Sequence, residues 1–158
     1  MNSRVPPDAQ RRAADVCLVR SQRRTGSRAS QMKIMIVDDH QEIRRLLRSA
    51  LGHLTTDFVE CADGTEAVVE FSRQRPDWTI MDIAMKPMDG LEATRRIKSC
   101  DASSRILILT QHDTPQMRTA ALNAGAVAVL SKDQLASVAT MLGKADGGAA
   151  STDPRVRP

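Results

Sequence analysis

From position 33 onward, short unbroken apolar runs alternate with segments whose apolar residues step by three and four. The runs at 34–37, 78–81, 106–109 and 127–130 predict strands covered on both faces, since a half-exposed strand would alternate apolar with polar. A weaker strand is predicted at 57–61, where Glu60 interrupts the run and suits an edge position. Helical spacing follows each run. Ile43, Leu46, Leu47, Ala50, Leu51 and Leu54 form one apolar stripe, and Met117, Ala120, Ala121 and Ala124 repeat the spacing more thinly, as do Leu135, Val138, Ala139 and Leu142.

Helix start and stop signals agree with this pattern. Asp63 with Glu66, and Asp89 with Glu92, have the capping-box spacing. Thr114-Pro115 suits the start of another helix, and Gly125 stands where that helix should stop. Five strands alternating with five helices predict an α/β fold, a (βα)5 doubly wound parallel sheet with helices on both faces.

Charge divides the chain. The net charge is +4, yet seven arginines stand against two aspartates before Met32, so the rest of the chain is slightly acidic. Residues 1–31 are expected to be a basic, disordered extension, 32–143 one domain, and 144–158, with its glycines and prolines, a disordered tail. The arginines suggest contact with nucleic-acid phosphates, but that segment has no aromatic residue to stack on bases. The composition also suits a transit peptide. No apolar run approaches the roughly 20 residues of a membrane span. Cys17, Cys61 and Cys100 are widely spaced and odd in number, which argues against a zinc site or a disulfide framework. A reduced, cytoplasmic setting with no membrane partner is expected.

Candidate chemistry gathers at the strand ends, where doubly wound sheets bind ligands. Asp38 and Asp39 follow the first strand and Asp82 ends the third; Thr110 ends the fourth and Lys132 lies just past the fifth. Three carboxylates brought together repel unless a cation joins them, and an all-oxygen set suits Mg2+. With that ion and Lys132 neutralising charge, the rim can hold a phosphoryl group, and Asp82 is the central carboxylate and candidate nucleophile.

The stretches "IMIVDDH", "ADGTEAV", "PDWTIMDIAMKPMDGLEA", "RILILTQHD" and "AGAVAVLSKD", in this order across residues 33–142, resemble the receiver (CheY-like) domain of two-component response regulators. The resemblance implies strand order 2-1-3-4-5. It implies that Asp82 accepts a phosphoryl group from a sensor histidine kinase or a histidine phosphotransferase. Asp39, Asp82 and the Ala84 carbonyl would bind Mg2+ directly, and Asp38 would act through water. Thr110 and Lys132 would contact the phosphoryl group. Such a domain is no enzyme beyond its own phosphorylation and dephosphorylation, and it signals to a downstream protein through the face of helix 4, strand 5 and helix 5.

The chain departs from the family pattern in several places. Val129 stands where an aromatic switch residue is usual, Lys86 where proline is common, and Gln111 where a small residue follows the threonine. Ala84 and His112 occupy positions that tune aspartyl-phosphate hydrolysis in the family. Asp133 follows Lys132, where many receivers have proline. His40 and Lys86 are expected to be solvated side chains. Only 26 residues follow Lys132, too few for a helix-turn-helix module after the last helix, so a stand-alone receiver without a DNA-binding output domain is expected. Three alternatives stand beside it. One is a degenerate receiver acting as a phosphorylation-independent binding module; another is nucleic-acid binding through the arginines. The third is a phosphatase using "ADGTEA", disfavoured because Cys61 stands where that chemistry needs an acid.

Overall fold

The computed structural model describes residues 31–147. Residues 1–30 of the expected extension and 148–158 of the expected tail lie outside these residues. The elements alternate as β1 (Lys33–Val37), α1 (Gln41–Leu51), β2 (Asp57–Cys61), α2 (Gly64–Gln74), β3 (Trp78–Asp82), α3 (Gly90–Cys100), β4 (Ile106–Thr110), α4 (Pro115–Asn123), β5 (Ala128–Ser131) and α5 (Leu135–Gly147), with a 3-10 turn at Lys132–Gln134 before α5. The strands form one parallel sheet in the order β2-β1-β3-β4-β5, as expected. No helix among the described residues is long and apolar enough to cross a membrane.

The unbroken runs are explained by the layers on either side. Successive strand residues face opposite ways, so Ile34, Ile36, Ile80 and Leu107 pack with Leu47 and Leu51 of α1 and Val138 and Leu142 of α5. Met35, Val37, Met81 and Ile108 pack on the other face with Phe71 of α2, Ile97 of α3 and Ala121 of α4. Both faces are covered, which is why β1, β3 and β4 have no exposed polar face and even Thr79, within β3, is buried.

Three details of the elements differ from the sequence expectation. Leu46 is 53% exposed, because it sits on the far flank of the α1 stripe, beyond the part where Ile43, Leu47, Leu51 and Leu54 pack into the core. Val127 is 52% exposed and precedes β5, although its amide donates to the Ile106 carbonyl. Helix α5 runs on through Gly143 to Gly147, four residues past the expected boundary, with buried Leu142 anchoring the turn before that glycine.

The two capping boxes are only half formed. Asp63 accepts from the Thr65 and Glu66 amides, while Glu66 reaches past the cap to the Ala62 amide. Asp89 accepts from the Glu92 amide, but Glu92 turns to Arg95 and Arg96, one helical turn on, instead of back to the cap. Thr114 and Pro115 start α4 as expected, and Gly125, at φ +103°, ends it in a conformation open to glycine. Because Asp63 satisfies two otherwise unpaired amides, Asp63→Ala is expected to lower stability by about 1 kcal/mol, read as an earlier urea midpoint with unchanged slope.

Candidate functional site

The carboxyl ends of β1, β3 and β5 bring three of the expected residues into direct contact. Asp38, continuing β1 with its amide on the Cys61 carbonyl, is buried, and so is Asp82 at the end of β3. The Lys132 ammonium lies between them, 2.7 Å from Asp38 Oδ2 and 3.3 Å from Asp82 Oδ2, with its side chain only 8% exposed. The turn that carries Lys132 is held by Ser131, whose hydroxyl accepts from the Asp133 amide. One cation is thus shared between two buried carboxylates.

The other expected residues sit around this pair. Thr110 is buried at the end of β4, and its hydroxyl accepts from the His112 amide at 3.1 Å, which leaves its own proton free to be donated. Asp39 is more open, and its Oδ1 lies 2.7 Å from His40 Nδ1. Ala84 lies exposed in the loop after β3. Gln111, His112 and Lys86 are exposed, while Val129 is buried in the sheet. Asp63, which a phosphatase reading would use, and Cys61, which stands where that reading needs an acid, are occupied otherwise. Asp63 caps α2, and burial pushes the Cys61 thiol up to about 12.

Two supporting residues, Gly90 and Arg44, carry no signal in the sequence analysis, and a third, His40, is expected there only as a solvated side chain. Gly90, at the start of α3, lets the helix press against the end of β3: a Cβ there would fall 1.9 Å from the Asp82 carbonyl oxygen. Its amide also donates to the Ile83 carbonyl, closing the loop behind Asp82. Arg44 donates to the Asp38 carbonyl at 2.6 Å and to Glu60 of β2 at 3.1 Å, tying the acidic loop to the edge strand. His40, expected to be a free surface histidine, contacts both Asp38 and Asp39. The "MDG" and "DDH" triplets were the available signals, but neither reveals a contact with residues distant in sequence.

Burial pushes the Asp82 carboxyl above its ordinary value; Lys132 opposes that rise and Asp38 adds to it. The sign for stability follows. A carboxyl with a raised folded-state value binds its proton more tightly when folded, so the unfavourable ionised form burdens the fold at neutral pH and the burden lifts in acid. Asp82→Asn is therefore expected to unfold at higher urea than the wild type at pH 7 without divalent cation, with the gap closing as pH falls towards the ordinary carboxyl value of about 4. Equal midpoints at neutral pH would contradict this.

The donor set suits a hard divalent cation: clustered carboxylate oxygens, with Asp38 Oδ2 facing Lys132 but accepting no well-directed hydrogen bond. Buried negative charge is in excess of positive charge between Asp38, Asp82 and Lys132, and Asp39 adds to it at the rim.

Comparison with known proteins agrees with this fold. The family model of the response regulator receiver domain matches residues 34–142. The response regulator MprA of Mycobacterium leprae is 38% identical over 95 residues, covering 60% of this chain and 42% of that protein. The chain thus spans about two-fifths of the length of such curated relatives. Among solved structures, a LuxR-family two-component response regulator from Aurantimonas is 32% identical with TM-score 0.69, over 75% of this chain and 87% of that one. A CheX-CheY-BeF3-Mg complex from Borrelia burgdorferi has a chain of the same fold, at 24% identity and TM-score 0.68, over 73% of this chain and 89% of that one. With the matching order of strands and more than half of its length covered by the family model, this chain belongs to the response regulator receiver domains of two-component signalling systems.

Proposed function

We propose that Asp82 accepts a phosphoryl group from the phosphohistidine of a sensor histidine kinase or histidine phosphotransferase, and that the resulting change is read by a downstream protein. The observation that carries this reading is the Lys132 ammonium held between Asp38 and Asp82 at the buried rim of the sheet. An Asp82 oxygen attacks phosphorus, the phosphorus–nitrogen bond of the donor breaks, and the leaving imidazole keeps the electron pair and takes a proton. Lys132 stabilises the charge gathering on the phosphoryl oxygens, as positioned cations do in phosphoryl transfer. Thr110 donates its hydroxyl proton to one of those oxygens. Asp39, Asp82 and the Ala84 carbonyl would hold Mg2+, with Asp38 acting through water. That ion would supply further charge neutralisation for the transferred group. The product shifts an existing equilibrium between two arrangements, and α4, β5 and α5 are the surface expected to report it.

Val129 in place of an aromatic switch residue favours a second reading, in which the fold binds its partner without phosphorylation. Intact mass after incubation with acetyl phosphate separates the two. A Mg2+-dependent gain of one phosphoryl group, reversed by hydroxylamine and absent from Asp82→Ala, is expected. No gain in protein that is demonstrably folded would leave the phosphorylation-independent reading in its place.

A further inference from the structure

We propose that Arg118 couples the candidate site to the last strand of the sheet: its guanidinium bridges the loop after β4 to β5, so that a displacement of Thr110 is carried to the β5 backbone. The inference rests on the reading above that Thr110 donates to a phosphoryl group on Asp82.

The link starts at Thr110. Its hydroxyl accepts from the His112 amide at 3.1 Å, and the His112 carbonyl accepts from the Thr114 amide at 3.1 Å. The Thr114 carbonyl accepts from the Arg118 amide at 2.9 Å, so hydrogen bonds lead unbroken from Thr110 into the first turn of α4. The Arg118 side chain then turns back. It donates to Asp113 Oδ2, inside the loop, and to the Val129 carbonyl of β5 at 3.5 Å.

Two features set this bridge apart from an ordinary surface ion pair. Asp113 is partly buried, and its Oδ1 is shielded from solvent and accepts no hydrogen bond from a described residue. Losing Arg118 would therefore leave that carboxylate poorly satisfied and force the loop to rearrange. The second feature is the grip on β5. The Val129 side chain is buried in the core, and the guanidinium holds the strand by a main-chain atom instead. A planar fork of donors can serve two acceptors on different segments at once, which a compact ammonium does less well.

A phosphoryl group on Asp82 that draws the Thr110 hydroxyl towards it pulls the His112 amide, and Asp113 with it. The guanidinium follows the carboxylate, because that bond is charged at both ends and is the stronger of the two. Its hold on the Val129 carbonyl changes, and β5 responds. Such coupling is reciprocal, so a partner that fixes β5 also resists the motion of Thr110.

The test uses the full chain, with beryllofluoride and Mg2+ standing in for the phosphoryl group. Amide resonances are followed in the wild type, in Arg118→Met and in Asp113→Asn. In the wild type the adduct is expected to move the resonances of Thr110, His112 and Asp113, and also those of Ala128 and Val129, the part of β5 farthest from Lys132. In both variants the loop should still respond, while Ala128 and Val129 lose most of their change. A bridge that only stabilised the fold would lower the urea midpoint and leave this division of the response untouched. An undiminished response at Ala128 and Val129 in the variants overturns the role of Arg118, as does a wild-type response confined to the loop. If none of these resonances moves in the wild type, the phospho-acceptor reading itself fails and this inference with it.

Discussion

Lys132→Met is expected to cost the fold about 3–5 kcal/mol at neutral pH without divalent cation, the usual consequence of removing one member of a buried ion pair. Methionine fills much of the same space, so the loss comes from charge. Asp38 and Asp82 would remain buried without the ammonium that now sits 2.7 Å and 3.3 Å from them. The effect has two signatures that a packing defect lacks. Acid should narrow the gap, because Lys132 holds the Asp82 carboxyl down and its removal lets that group bind a proton more readily. Added Mg2+ should narrow it too, by supplying another positive charge to the same oxygens. Urea midpoints at two pH values, with and without the ion, decide the matter. A loss independent of both conditions would locate the defect elsewhere. Phosphoryl uptake should fall steeply even where the variant is folded, since the charge on the transferred group then lacks its lysine.

Gly90→Ala should be nearly as damaging, although it adds only one methyl group. The added carbon would lie 1.9 Å from the Asp82 carbonyl oxygen and 2.8 Å from its carbonyl carbon. Neither atom can swing aside as the tip of a flexible side chain can. Either α3 withdraws from the sheet, opening space around Ala93 and Ile97, or the peptide carrying Asp82 tilts. A loss of about 3 kcal/mol is expected, together with slower phosphoryl uptake per folded molecule. Stability within about 0.5 kcal/mol of the wild type would mean that the contact relaxes easily.

The fold was legible because its layers imprint themselves on the chain. Ile34, Ile36, Ile80 and Leu107 need one apolar neighbourhood, and Met35, Val37, Met81 and Ile108 another, so the central strands show no polar face. The edges were harder to place. The apolar run at 127–130 reaches one residue before β5, because such a run does not say where both faces cease to be covered, and the stripe on α1 is narrower than its leucines suggest, leaving Leu46 outside. The candidate site was legible to the extent that topology alone places it. Asp38, Asp82, Thr110 and Lys132 follow strands that must end at the same rim. The meeting of Lys132 with Asp38 as well as Asp82 depends on side-chain reach, and so does the turn of His40 towards two acids. Gly90 offered a helix start and nothing more, since its role lies in the space that its missing side chain leaves to a different segment.

The clasp made by Arg44 has a consequence for how this rim comes apart. Edge strands ordinarily fray alone, exchanging their amide protons while the centre of the sheet stays closed. Here Glu60 of the edge strand holds Arg44, Arg44 holds the Asp38 carbonyl, and the Asp38 amide in turn holds Cys61 at the end of that strand. The ring of contacts is closed. Opening β2 at its carboxyl end also loosens the acidic loop, so edge and loop form one cooperative unit of exchange. Anything that tightens the loop should slow amide exchange at the margin of the sheet.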